Sequence, residues 1–208
     1  MKVAFLFLSV LPFYASSQYN SDASVNNVVI NIVPETKEIL NVLHIRSRAD
    51  VNKDGQLKII PDPTAAPFGA HFREGLNMHD NANPIKRYYL SPAILLSNET
   101  IIMFQRAKRT DKSYLFACSA LVHELTHYYQ EILVPDNYFD DKDGKHMKAY
   151  ILQPSEFESF SVQSYYFIKH NDINLLNKIM NSNQPLDRKK ELLINAFLVQ
   201  AENAQPLF

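Results

Sequence analysis

Cysteine occurs once in the 208 residues, as Cys118, so no internal disulfide can form. The thiol falls on the apolar side of a helical pattern and reads as buried rather than reactive. Glycine is nearly as scarce, with four residues, and no glycine-rich phosphate loop is present. Charge of either sign is not in excess: the formal balance of -1 gives no electrostatic preference for nucleic acid or an anionic membrane. There is no internal repeat and no Ser/His/Asp arrangement. The one marked apolar run, Val3 to Leu11 behind Lys2, is short for a membrane span. With Ala15, Ser16 and Ser17 after it, residues 1–17 read as a secretory signal cleaved before Gln18, the alternative being an uncleaved anchor. No cysteine stands at the cleavage site, so a lipid anchor is not indicated. The remainder, 18–208, has the length of one domain with a hydrophobic core. Its expected location is secreted or periplasmic, with no stable membrane span after cleavage.

What is present is Leu121-Val122-His123-Glu124-Leu125-Thr126-His127-Tyr128-Tyr129-Gln130, an H-E-x-x-H in an uncharged, largely apolar run. With seven histidines in the chain, chance alone produces this pattern about once in a hundred such sequences, so it needs a helical context to count. Tyr114, Leu115, Cys118, Leu121, Val122 and Leu125 supply that context, with Thr110 and Asp111 as candidate N-caps and Pro135 as a stop. A helix over about 112–133 follows, one face in the core and the histidines on the other. Histidines four apart lie about 40° and roughly 6 Å from each other, so both reach one metal ion while Glu124 faces a water beside it.

Upstream, Val28–Val33 reads as a strand, and Pro34 as the first turn of a helix through Ile39, Leu40, Leu43 and Ile45 to about 48. Asp50-Val51-Asn52-Lys53-Asp54-Gly55 opens like a calcium loop, but Pro61 stands at its twelfth place, where a bidentate carboxylate is needed. A turn before a strand at 57–60 is the preferred reading, and a weak calcium site on Asp50, Asn52 and Asp54 the alternative. Residues 61–87, with Pro61, Pro63, Pro67 and Pro84, read as mainly loop carrying His71 and His79. Arg87–Leu96 and Thr100–Phe104 read as strands, with Pro92 marking an edge or a break. After an acidic loop, Ser155 is the expected N-cap of a helix containing Phe157 and Phe160. A helix at 173–180 and another at about 187–200, separated by Gln184-Pro185, complete the chain.

The H-E-L-T-H-Y-Y-Q run, followed by a helix opening Glu156-Phe157-Glu158-Ser159-Phe160, resembles the gluzincin-type zinc metallopeptidases. That resemblance implies an α+β, zincin-like fold: a small mixed sheet packed on the H-E-x-x-H helix, with further C-terminal helices. It implies Zn2+ on His123, His127 and a glutamate of the later helix, with Glu124 as general base. Glu156 takes the ligand position of the family pattern, and Glu158 and His146 are the alternates. Glu156 and Glu158 lie about 200° apart on a helix, so only one can face the metal. Phe160 departs from the pattern, standing where an acid or amide often orients the first histidine. Another carboxylate must then do so, or none does. Tyr150, Tyr165, Tyr166 and His146 have the chemistry of an oxyanion donor. The resemblance thus leads to an exported peptidase acting on a peptide or protein. Hydrolysis of a cell-wall amide and a non-catalytic, protein-binding zincin-like module are the competing expectations.

Overall fold

The computed structural model describes residues 23–47, 58–62, 70–73, 76–80, 83–90, 93–106, 111–130, 151 and 153–201. The proposed signal and the calcium-loop residues Asp50, Asn52 and Asp54 lie outside them, as do His146 and Tyr150. The architecture is α+β and mostly helical, with a small mixed sheet.

Helix α1 spans Ala23–Val42, so the strand expected at 28–33 and the helix start at Pro34 are both corrected. The β-branched run suggests a strand, but Val28, Ile32, Thr36, Ile39, Leu40 and Leu43 are the buried positions, and that spacing is helical. Pro34 is tolerated because it sits on the exposed side, where a carbonyl lacking its helical partner meets water. The helix stops at 42, not 48. His44 takes φ 53°, the Ile45 N–H reaches Leu40 O at 2.9 Å and the His44 N–H reaches Asn41 O at 3.2 Å, a Schellman closure.

The sheet has the order β1 (Lys58–Pro61), β5 (Ala93–Leu96), β2 (Ala70–Arg73). Strand β1 runs parallel to β5 with Ile59 opposite Ile94, and β2 antiparallel with Phe72 opposite Ile94. Ala93, Ile94 and Leu96 are buried, as a central strand requires. Strands β3 (Leu76–Asp80) and β4 (Asn83–Leu90) pair as a separate antiparallel hairpin with an irregularity between His79 and Asp80. Much of 61–87 is therefore strand rather than loop, with His71 in β2 and His79 in β3. Its prolines mislead because Pro61 ends an edge strand and Pro84 lies in a two-stranded hairpin, where a missing N–H is tolerated.

Residues 98–106 form helix α2 (Asn98–Arg106), not the strand expected at Thr100–Phe104. Ser97 is its cap, accepting from the Thr100 N–H at 3.2 Å, and Thr100, Met103 and Phe104 are the buried face. Helix α3 (Lys112–Gln130) carries the H-E-x-x-H and is buried all round from Leu121 to Gln130, so the histidines do not lie on an open face. It packs against β2 and β5, and also against α1, α2 and α4 (Pro154–Asn171). Helix α4 starts with Gln153 as N-cap and Pro154 at its first turn, which moves Ser155 from the expected cap into the helix. Helix α5 (Ile173–Met180) follows, capped by Asp172 accepting from the Leu175 N–H at 3.0 Å, and α6 (Leu186–Ala201) packs on α4. Among the described residues no helix is long and apolar enough to cross a membrane.

Candidate metal centre

Helices α3 and α4 lie against each other, and the groups they share form a small triangle. His123 Nε2 and His127 Nε2 are 3.0 Å apart, His123 Nε2 lies 3.2 Å from Glu156 Oε2, and His127 Nε2 lies 3.3 Å from Glu156 Oε1. All three side chains are buried. A first-turn helix carboxylate facing solvent would need no such partners. Glu158, the other glutamate of the sequence pattern, turns away and accepts from Gln130 Nε2 at 2.8 Å. Ser161 and Val162, on the side of α4 that Glu158 takes, are fully buried.

Each imidazole is fixed through its other nitrogen. His123 Nδ1 is 3.0 Å from Gln163 Oε1, an acceptor, so Nδ1 carries the proton and Nε2 presents a lone pair to the triangle. His127 Nδ1 is 3.3 Å from Ser159 Oγ, whose own proton goes to Gln130 Oε1 at 3.2 Å, so here too Nδ1 is the donor. Two nitrogen lone pairs and a carboxylate then converge on one point. Left to themselves they repel, and a cation between them removes the conflict. Metal–ligand bonds of about 2.0–2.1 Å at near-tetrahedral angles place donor atoms about 3.3–3.4 Å apart, close to the spacing found. The buried His123, His127 and Glu156 group could therefore bind a metal ion.

With no ion between these groups a proton on the imidazole Nε2 atoms takes its place, and the contacts to Glu156 become hydrogen bonds. Burial pushes the Glu156 carboxyl up, but hydrogen bonds from His123 and His127 and their charges hold it well below the usual carboxylate range. Burial pulls His127 down, and its hydrogen bond to Glu156, the charges of Glu124 and Glu156 and a bond to Gln130 raise it above its ordinary value. Glu124, buried next to the triangle, is pushed up chiefly by desolvation, against the pull of His123, His127 and the Phe72 N–H. That N–H, from β2, donates to Glu124 Oε2 at 2.6 Å.

Phe160, at the position where an orienting acid or amide was expected, instead packs its ring edgewise on His123 at 4.6 Å. Orientation comes from a carboxamide one turn later, Gln163, and not from a carboxylate. Gln163 is seven residues from Glu156 and hence on the same helical face, a signal the sequence holds. Phe72 carries no such local signal. Neither Tyr165 nor Tyr166 is placed to serve as an oxyanion donor: nine or ten residues along α4 put them about 14–15 Å from Glu156. Tyr166 pairs instead with Cys118 and Tyr165 lies near Lys169 and Glu38. Comparison with protein-family models, with curated proteins and with solved structures finds no match for the chain.

Proposed function

We propose that this chain is an exported zinc-dependent metallopeptidase of zincin-like architecture. The observation that carries the reading is the buried His123, His127 and Glu156 triangle with Glu124 beside it on the same helix. Two imidazoles and one carboxylate suit zinc, whereas calcium and magnesium favour all-oxygen shells. His123, His127 and Glu156 would hold the ion, three protein ligands being the number that leaves a catalytic site open. Bound there, zinc supplies Lewis acidity to a water and to the scissile carbonyl.

The remaining chemistry belongs to the chain. The Phe72 N–H engages one oxygen of Glu124, which leaves Oε1 to take a proton from the attacking water and pass it to the leaving amine. Strand β2 lies at one side of the sheet and packs on α3, so an extended peptide pairing along it would pass beside Glu124. Export rests on the pattern of residues 1–17.

Metal analysis of the mature chain purified from residue 18 tests the reading, together with assays on a peptide and on a cell-wall amide with and without chelator. One zinc per chain and chelator-sensitive peptide cleavage are expected. Cleavage of the cell-wall amide alone would reassign the substrate, and absence of metal would favour a binding module.

A further inference from the structure

The two ligand histidines are each backed by a chain of hydrogen bonds, and both chains end on a group that can only accept. Behind His123, Gln163 Nε2 donates to Ser119 Oγ at 3.4 Å and Ser119 Oγ donates to Phe116 O at 2.7 Å. The peptide carbonyl fixes the direction of every donor before it, so Gln163 presents Oε1 to His123. Behind His127 stand Ser159 and Gln130, which His127 also bonds directly, and behind Gln130 the carboxylate of Glu158. We infer that Glu158 is a positioning residue for the metal centre, setting the His127 tautomer through Gln130 and Ser159.

The argument is one of polarity. An ionised carboxylate has no proton to give, so Gln130 must turn its NH2 to Glu158 and its Oε1 to Ser159. Ser159 spends its single proton on that oxygen and can only accept from His127 Nδ1. Nε2 is then bare and faces Glu156. Reversing the Gln130 amide would bring its oxygen against the Glu158 carboxylate. Ser159 would accept from the amide and donate to Nδ1, and the proton of His127 would sit on Nε2, inside the triangle where it blocks ligation. Glu158 thus excludes the wrong tautomer through the three hydrogen bonds of the relay. Gln130 ends α3 while Glu158 and Ser159 sit in the first turns of α4, so the relay also clamps the two ligand-bearing helices at the centre.

This inference rests on the metal reading, and its test separates the two. Nitrogen-15 NMR of the zinc-free chain, at a pH high enough to leave the imidazoles neutral, reports each tautomer, and chelator competition reports zinc affinity. In the wild type both histidines should be protonated on Nδ1. Glu158→Ala and Ser159→Ala should convert His127, but not His123, to mixed tautomers and weaken zinc binding about fivefold to tenfold. Glu158→Gln, whose amide can donate as well as accept, no longer fixes the direction of Gln130 and should give mixed tautomers too. A variant with His127 wholly on Nδ1 and unchanged affinity would overturn the role of Glu158. Should Glu158→Ala not fold, Gln130→Met breaks the same relay and is read by the same two outcomes. A wild type that takes no zinc would instead overturn the metal reading, while the tautomer comparison would still decide the relay.

Discussion

At the scale of single residues, the centre divides into groups that touch the metal position and groups that aim them. Glu156→Ala removes a donor and should weaken zinc binding at least about tenfold, or some 1.4 kcal/mol, in chelator competition. Gln163→Ala leaves the donor set intact but frees the His123 ring, which Phe160 then holds by packing alone, so a loss of about tenfold is the expected ceiling. Glu124→Gln should keep zinc while turnover falls at least about a hundredfold, and wild-type rates in that variant would sink the hydrolytic mechanism. His123, Glu124 and His127 could be picked from the sequence because spacing along one helix decides their faces, whereas Glu156 came from the family pattern that the chain resembles. Gln163, Ser159 and Gln130 follow the same rule at i+7, i+3 and i+3, so they were legible in principle. The Phe72 N–H was not, since a backbone donor 52 residues from Glu124 leaves no trace in composition or periodicity.

Among the elements, the helices whose ends carry ordinary signals were readable and those that rely on tertiary burial were not. The helix expected at 173–180 is α5, because Asp172 caps it and Leu176 and Ile179 are its buried pair. The stretch 28–33 of α1 and Thr100–Phe104 of α2 look like strands because valine, isoleucine and threonine crowd them. Only their packing against α3 reveals a helical face. The end of α1 was hidden for a different reason: its left-handed residue is His44 and not the glycine that usually marks such a stop. That residue is exposed and its conformation unfavourable for a side chain with Cβ. His44→Gly should therefore stabilise the fold by about 0.5–1 kcal/mol after the added freedom of the unfolded chain is deducted. Urea melts of the two proteins measure it, and a loss of stability would mean the His44 side chain contributes contacts that outweigh the strain.

In the whole molecule α4 is the common partner: it meets α3 at the candidate metal centre, α1 at an ion cluster and α6 on its remaining side. In the cluster, Lys169 Nζ and His170 Nε2 each lie 2.9 Å from Glu35 Oε1. Burial pushes the Glu35 carboxyl up, but hydrogen bonds from His170 and Lys169 bring it below its ordinary value. A carboxyl lowered in the folded state adds stability above its unfolded value, near 4.5, and loses it as pH falls through the folded value. Glu35→Gln should thus cost about 0.5–1 kcal/mol at neutral pH, with the gap to wild type closing in acid below that point. A gap that stayed constant into acid would assign the effect to packing. The contact of α3 and α4 makes a larger demand, because it brings two imidazoles and a carboxylate together in a buried place that the unfolded chain does not form. An ion bound only by the folded chain stabilises it by about 2.7 kcal/mol at a free concentration a hundred times Kd. For a chain of this length that is roughly 5–10 °C in Tm, so zinc should raise the midpoint by that amount and chelator should reverse it. The same titration on Glu156→Ala should give a much smaller rise. An equal rise in both proteins would place the ion elsewhere, away from the helix pair on which this reading depends.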